Sequence, residues 1–132
     1  MDKVVVPIAA EADILAARRR GRDIARAVGF GLADQTRLAT AISELARNVL
    51  QHAGSGACEI VTESNHQQQL VRVVIEDNGP GIADLEWAMA DGATSGGGLG
   101  AGLPAAKRLV HRFAIESTPG HTRIVLEMAR HR

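Results

Sequence analysis

Aromatic side chains make up only 2% of this 132-residue chain: Phe30, Phe113 and Trp87, with no tyrosine. That argues against a surface on which nucleic-acid bases stack. Charge of either sign is not in excess. Fifteen basic and fifteen acidic residues balance to a formal net charge of zero, so no overall field draws the chain to nucleic acid or to an anionic membrane. Cys58 is the single cysteine, which excludes an internal disulfide and a multi-cysteine zinc site. It lies in an apolar run and reads as a small core residue rather than a nucleophile. Residues 1–8 lack the apolar centre of a signal peptide, and no apolar run is long enough to span a bilayer. The expectation is a cytoplasmic protein without nucleic-acid or membrane partners. The five histidines, at 52, 66, 111, 121 and 131, show no metal-ligand spacing and read as structural or surface residues; His52 ends a helix, where a cation suits the dipole.

What is present is an aliphatic chain, 45% hydrophobic, long enough for one core and one domain over residues 1–132. Residues 3–8 read as a strand with Pro7 near its edge. Ile14, Ala17, Gly21, Ile24 and Val28 repeat at helical spacing over residues 12–28, and Gly29-Phe30-Gly31 ends that helix. Leu38, Ile42, Leu45 and Val49 mark a second amphipathic helix over residues 33–52, followed by the break Gly54-Ser55-Gly56. Strands are expected over 58–63 and 70–76, with a polar hairpin between them. Residues 77–102 form a long glycine-rich loop, residues 103–113 a third helix, and 114–117 with 122–128 a last hairpin around Pro119-Gly120. This order predicts an α+β domain: a two-layer sandwich of a mixed, mostly antiparallel sheet with helices on one face. Arg18, Arg19, Arg20, Arg22 and Arg26 crowd the first helix, either as a solvated face partly paired with acids such as Asp23 or as a protein-docking face.

Three segments carry chemistry. In Glu44-Leu45-Ala46-Arg47-Asn48, Glu44 and Asn48 are one helical turn apart on one face. An amide oxygen is a hard ligand that suits magnesium, and a neighbouring carboxylate can take a proton from a hydroxyl. In Asp77-Asn78-Gly79-Pro80-Gly81, a carboxylate ends an apolar strand, where it can accept hydrogen bonds from an amino group; Gly79 and Gly81 let backbone approach a flat ligand. Gly96-Gly97-Gly98-Leu99-Gly100-Ala101-Gly102 runs toward a helix, as anion-binding backbone does. It lacks the Gly-Lys-Ser/Thr of a Walker loop and does not follow a strand directly, as a Rossmann loop would. Each segment also has an ordinary reading: a polar helix face, a common turn, a flexible linker. Together they make the parts of a site for a magnesium nucleotide.

These segments resemble the N, G1 and G2 boxes of the ATPase/kinase superfamily that includes Hsp90, DNA gyrase, histidine kinases and MutL (the GHKL, or Bergerat, fold). Within it, Ala41-Ile42-Ser43-Glu44-Leu45-Ala46-Arg47-Asn48 and Gly97-Gly98-Leu99-Gly100-Ala101-Gly102-Leu103-Pro104 are most similar to small bacterial anti-sigma-factor serine/threonine kinases of the RsbT type. The resemblance implies Glu44 as the general base, Asn48 as the ligand of Mg2+, Asp77 as the acceptor for the adenine amino group, and Gly79 and Gly81 in the base pocket. It implies that Gly97, Gly98, Leu99, Gly100, Ala101 and Gly102 cover the phosphates of ATP, and that Thr122 stands behind the adenine. The implied reaction moves the γ-phosphoryl group to a Ser or Thr of a STAS-domain antagonist or stressosome scaffold protein. The implied partners are those proteins and a PP2C-type phosphatase that the kinase activates by binding, with a weak homodimer as a further association. The alternative is an anti-sigma factor or partner-switch adaptor that binds nucleotide and acts by sequestration; Glu44 favours the kinase, because a sequestering protein needs no base. A detached histidine-kinase catalytic domain is disfavoured by the short lid and by the lack of a phosphoacceptor-histidine helix ahead of the nucleotide domain. The chain departs from the family pattern at Ala93 and Gly96, where an aromatic and a serine are expected, and it is one residue shorter around Gly120-His121-Thr122.

Overall fold

Two aliphatic helices close over one face of a five-stranded sheet, so the periodicities of 3.6 and 2 in the sequence meet in one core. The structure, a computed structural model, describes residues 3–82, 89 and 102–131. The elements run β1 (Lys3–Ile8), α1 (Glu11–Ala27), α2 (Leu32–His52), β2 (Gly56–Ser64), β3 (Gln68–Asp77), α3 (Leu103–Leu109), β4 (Arg112–Thr118) and β5 (His121–His131). The strand order is β1-β2-β3-β5-β4, and all four pairings are antiparallel, a purer sheet than the mixed one expected. The loop expected over 77–102 is described only at its two ends and at residue 89. Ala93 and residues 96–101 lie outside the described residues.

Local chemistry sets the helix ends. Asp13 reaches back to accept hydrogen bonds from the amides of Ala9 (2.8 Å) and Ala10 (3.0 Å), which start α1. At the other end the Gly29 amide donates to the Arg26 carbonyl and the Phe30 amide to the Ala25 carbonyl, each at 3.0 Å. With Gly29 at φ +96°, this is a Schellman motif, and Phe30 tucks into the core behind it. The β2–β3 hairpin is an Asx turn, with the Asn65 side-chain oxygen accepting from the amides of Gln67 and Gln68.

The third helix is shorter than its apolar spacing predicts. It ends at Leu109; Val110 is already extended, and Arg112 and Phe113 pair with Glu127 and Leu126 in the sheet. A seven-residue helix has little cooperative stability of its own, so the ladder of β5 takes the segment over.

The core is built from Ile14, Ala17 and Ala25 of α1, Leu38, Ile42, Leu45 and Val49 of α2, and Ile60, Val71, Val73, Ile75, Ile124 and Leu126 of the sheet. α1 and α2 approach closely at Gly21, where a Cβ would run into Ile42 Cδ1. Cys58 is fully buried, and burial pushes its thiol up to about 12, which agrees with an inert core residue. On the open face of the sheet, Arg72 bridges Glu127 and Glu63 at 2.8 Å each, and these two carboxylates hold its guanidinium firmly protonated.

Two substitutions test this account by urea unfolding. Leu45→Ala empties a fully buried position between helix and sheet and should cost about 2–5 kcal/mol. Gly81→Ala should cost at least about 1–2 kcal/mol, because Gly81 has φ +84° and a Cβ there would run into the Thr118 carbonyl. An unchanged midpoint in either variant contradicts the packing described.

Candidate functional site

α2 carries two stripes. One is apolar and faces the sheet; beside it runs Glu44, Asn48 and His52, each one turn from the next. Hydrophobic burial of the first stripe pulls the second into the protein. Asn48 is only 6% exposed, and its Oδ1 has no hydrogen-bond partner among the described residues. A buried amide oxygen without a partner is rare and points to a ligand. Glu44 is only partly covered; its Oε1 meets Arg47 Nη1 at 3.1 Å.

The second wall is the end of the sheet. Asp77 is the last residue of β3 and stands opposite Thr122 of β5. Both are buried, at 5% and 2% exposure. Asp77 Oδ1 accepts from the Gly79 amide at 2.9 Å, which folds the chain back just after the strand. Gly79 must be glycine here, since a Cβ would sit 2.6 Å from that of Ala53. Thr122 Oγ1 is 2.7 Å from Ser117 Oγ, which in turn accepts from the Ile82 amide at 2.7 Å. This chain of bonds ties the Gly79–Gly81 turn to β4 and β5, with the Gly81 backbone lying against Thr118.

His52 joins the two walls. Its ring is buried, its Nε2 is 3.8 Å from Asp77 Oδ2, and neither ring nitrogen has a hydrogen-bond partner among the described residues. Sequence reasoning gave His52 only a structural role at a helix end. The signal that could have found it was its spacing of four from Asn48 and eight from Glu44. Ser117 and Gly56 were also missed. Gly56 pairs with Asp77, and a Cβ on it would crowd Val49 and the Asp77 side chain. The remaining histidines fit the structural or surface reading: His121 bonds Glu76 at 2.8 Å, His111 Nδ1 accepts from the Ala129 amide, and His66 and His131 are exposed.

Of the residues singled out in the sequence, the structure brings Glu44 and Asn48 onto one helix face. It sets Asp77, Gly79, Gly81 and Thr122 together at the sheet end and lays Gly102 against Glu44. Gly97, Gly98, Leu99, Gly100 and Ala101 lie outside the described residues. Among the described residues there is no cluster of three or more His, Cys, Asp or Glu side chains suited to a metal. Asn48 Oδ1, a hard oxygen without a hydrogen-bond partner among the described residues, fits magnesium, which binds through few protein ligands when substrate phosphates supply the rest. No helix among the described residues is long and apolar enough to cross a membrane.

Residues 33–132 match the model of the histidine kinase-, DNA gyrase B- and HSP90-like ATPase family. Over 119 residues, 90% of each chain, the sequence is 46% identical to the serine/threonine-protein kinase RsbT of Bacillus subtilis strain 168. The fold superposes with a TM-score of 0.70 on the crystal structure of the RsbU and RsbW domains of a Mycobacterium tuberculosis protein, at 18% identity. That match covers 98% of this chain and about a third of that one. A carboxylate–amide row on one helix, facing a strand-end aspartate across a glycine turn, together with a match over three quarters of the sequence, places this chain in the histidine kinase-, DNA gyrase B- and HSP90-like ATPase family.

Proposed function

We propose that this chain is a protein serine/threonine kinase that binds ATP between α2 and the end of the sheet. It transfers the γ-phosphoryl group to a Ser or Thr of a STAS-domain antagonist or scaffold protein. The observation that carries this reading is the α2 row. Glu44 and His52 are eight residues apart, about 12 Å along the helix at ~1.5 Å per residue. His52 marks the Asp77 end and Glu44 the Gly102 end. An extended nucleotide has a comparable length, so a purine at Asp77 puts its last phosphate near Glu44. Asn48, with its unpartnered oxygen, stands between them.

Asp77 accepts a hydrogen bond from the exocyclic amino group of adenine, with one oxygen already anchored by the Gly79 amide. Gly79 and Gly81 keep the turn flat enough for the base to lie against backbone. Asn48 holds magnesium through Oδ1; when bound, the ion neutralises charge on the phosphates. Glu44, partly solvent-exposed, accepts the proton of the acceptor hydroxyl as its oxygen attacks the γ-phosphorus. The bond from that phosphorus to the β,γ-bridging oxygen breaks, and ADP leaves. The family resemblance assigns Gly97, Gly98, Gly100 and Gly102 to the phosphates.

Regulation by partner exchange extends the same reading: the kinase binds its acceptor, leaves it once it is phosphorylated, and then binds and activates a PP2C-type phosphatase in the cytoplasm. The 46% identity to a protein named RsbT supports it, as does the α1 surface. There Arg18, Arg19 and Arg22 surround Leu15, which is 60% exposed. Asp23 pairs with Arg26 at 4.0 Å rather than with Arg19, leaving a cationic face with an apolar centre suited to an acidic protein surface.

Incubation with ATP, magnesium and a STAS-domain protein encoded nearby, followed by mass spectrometry of the acceptor, tests the proposal. Wild type should add one phosphoryl group to a Ser or Thr. Glu44→Gln should reduce transfer by at least about 100-fold while calorimetry finds ATP affinity within a few-fold of wild type. Transfer at the wild-type rate by Glu44→Gln removes the base. Nucleotide binding without transfer by wild type favours a sequestering adaptor. Asp77→Asn turns an acceptor-only group into one that also donates, and should weaken ATP binding by about 10-fold or more; unchanged affinity removes Asp77 from the adenine site.

A further inference from the structure

Glu44 is gripped from two sides. Arg47, one turn along α2, holds Oε1 at 3.1 Å. On the other side lies Gly102, the residue that opens α3. A Cβ built on Gly102 would come 2.9 Å from Glu44 Oε2, 3.1 Å from Glu44 Cβ and 3.4 Å from the Glu44 carbonyl oxygen. Gly102 is fully enclosed, and Leu103, Pro104 and Ala106 beyond it are buried in the contact that seats α3 on α2. Its φ of −89° is open to any residue, so backbone freedom is not what position 102 requires. What glycine supplies there is room for the Glu44 carboxylate.

We propose that Arg47 and Gly102 are positioning residues for Glu44, fixing its rotamer so that the carboxylate is aimed before substrate arrives. This rests on the reading of Glu44 as the general base, and it gives Gly102 a role toward that base besides any role toward phosphate. The physical logic is that of a group held from two directions. A glutamate on a helix surface samples several staggered rotamers. One charge-assisted hydrogen bond from Arg47 at a partly exposed site is weak alone. Gly102, lacking a Cβ, leaves open the space that the carboxylate occupies in this orientation, which a larger residue would fill. The combination yields one orientation, and general-base catalysis depends on that orientation more than on affinity.

The substitutions are mild for the fold. The nearest atom to a new Cβ at 102 is the tip of a flexible side chain, which can turn away, and the next, Glu44 Cβ at 3.1 Å, is relieved by a shift of a few tenths of an ångström. Arg47 is about half exposed and its described contact is with Glu44. Gly102→Ala and Arg47→Gln should therefore fold with melting temperatures close to wild type, which thermal unfolding monitors. Each should lower kcat for phosphoryl transfer from ATP to the STAS-domain acceptor by roughly 10- to 100-fold. For Arg47→Gln the dissociation constant for magnesium-ATP, from calorimetry, should stay within about three-fold, since positioning is lost rather than a nucleotide contact; Gly102→Ala, at a position also assigned to the phosphates, is read by its kcat at saturating ATP. Arg47→Lys, which keeps the charge without the planar fork, should recover part of the loss.

The decisive measurement is the double variant. In a Glu44→Gln background, Arg47→Gln and Gly102→Ala should cause no further loss, because both act through the carboxylate. Several outcomes overturn the proposal. If kcat is unchanged in both single variants while Glu44→Gln is inactive, the grip is without consequence and the base assignment stands. If Arg47→Gln loses ATP affinity in step with kcat/KM, Arg47 contacts phosphate instead. If they lower the residual rate of Glu44→Gln further, they act independently of it. Full activity of Glu44→Gln itself removes the base reading and, with it, this proposal.

Discussion

One helix imposes the main constraint on this molecule. α2 must bury an aliphatic stripe against the sheet and still present Glu44, Asn48 and His52 beside it. Its position is set by the hydrophobic face: Leu38, Ile42 and Leu45 are fully buried, and each contributes about 1.5–3 kcal/mol of burial. The polar row has no say in where the helix sits. It is carried to the depth that core packing dictates, and at that depth an amide oxygen and an imidazole are shielded from solvent without a hydrogen-bond partner among the described residues. Burying polar groups this way is unfavourable unless something binds there. On the proposed function, the core bears the cost of a preorganised site and bound nucleotide recovers it.

The opposite wall depends on register. Asp77 and Thr122 face each other because β3 and β5 pair antiparallel along ten positions, from Gln68 opposite His131 to Asp77 opposite Thr122. A slip of one residue would turn the Asp77 side chain to the other face of the sheet. The turn beyond it is held by short hydrogen bonds from backbone to Asp77 and Ser117 as well as by close packing. Glycine appears where neighbouring groups leave no room for a Cβ: Gly56 beside Val49, Gly79 beside Ala53, Gly81 beside Thr118 and Gly102 beside Glu44. Around this site a glycine marks a close approach more often than a hinge.

Much of the architecture was legible because local signals agreed with the global answer. The apolar period of α1 and α2, the Gly29-Phe30-Gly31 stop, the β-branched run of β3 and the Pro119-Gly120 turn each named their element to within a residue or two. The third helix was read too long because Val110 and Phe113 continue a helical spacing, while the segment 112–118 completes the sheet against β5. Periodicity over so short a stretch cannot weigh a ladder of strand hydrogen bonds formed with residues far along the chain. His52 was underread for a related reason: at a helix end a histidine has an ordinary electrostatic explanation, and its neighbour Asp77 is 25 positions away.

The sequence by itself determined the chemical inventory and its order: a carboxylate and an amide one turn apart, an aspartate at a strand end, then a glycine-rich run. Those follow from residue identity and helical or strand spacing, which are local properties of the chain. Only the tertiary structure decided which groups are desolvated and which touch. It buried Asn48 Oδ1 and the His52 ring without a hydrogen-bond partner among the described residues, stood Thr122 opposite Asp77, and laid Gly102 against Glu44. Such contacts join residues tens of positions apart. They arise from packing of the whole core, which no spacing within one segment encodes.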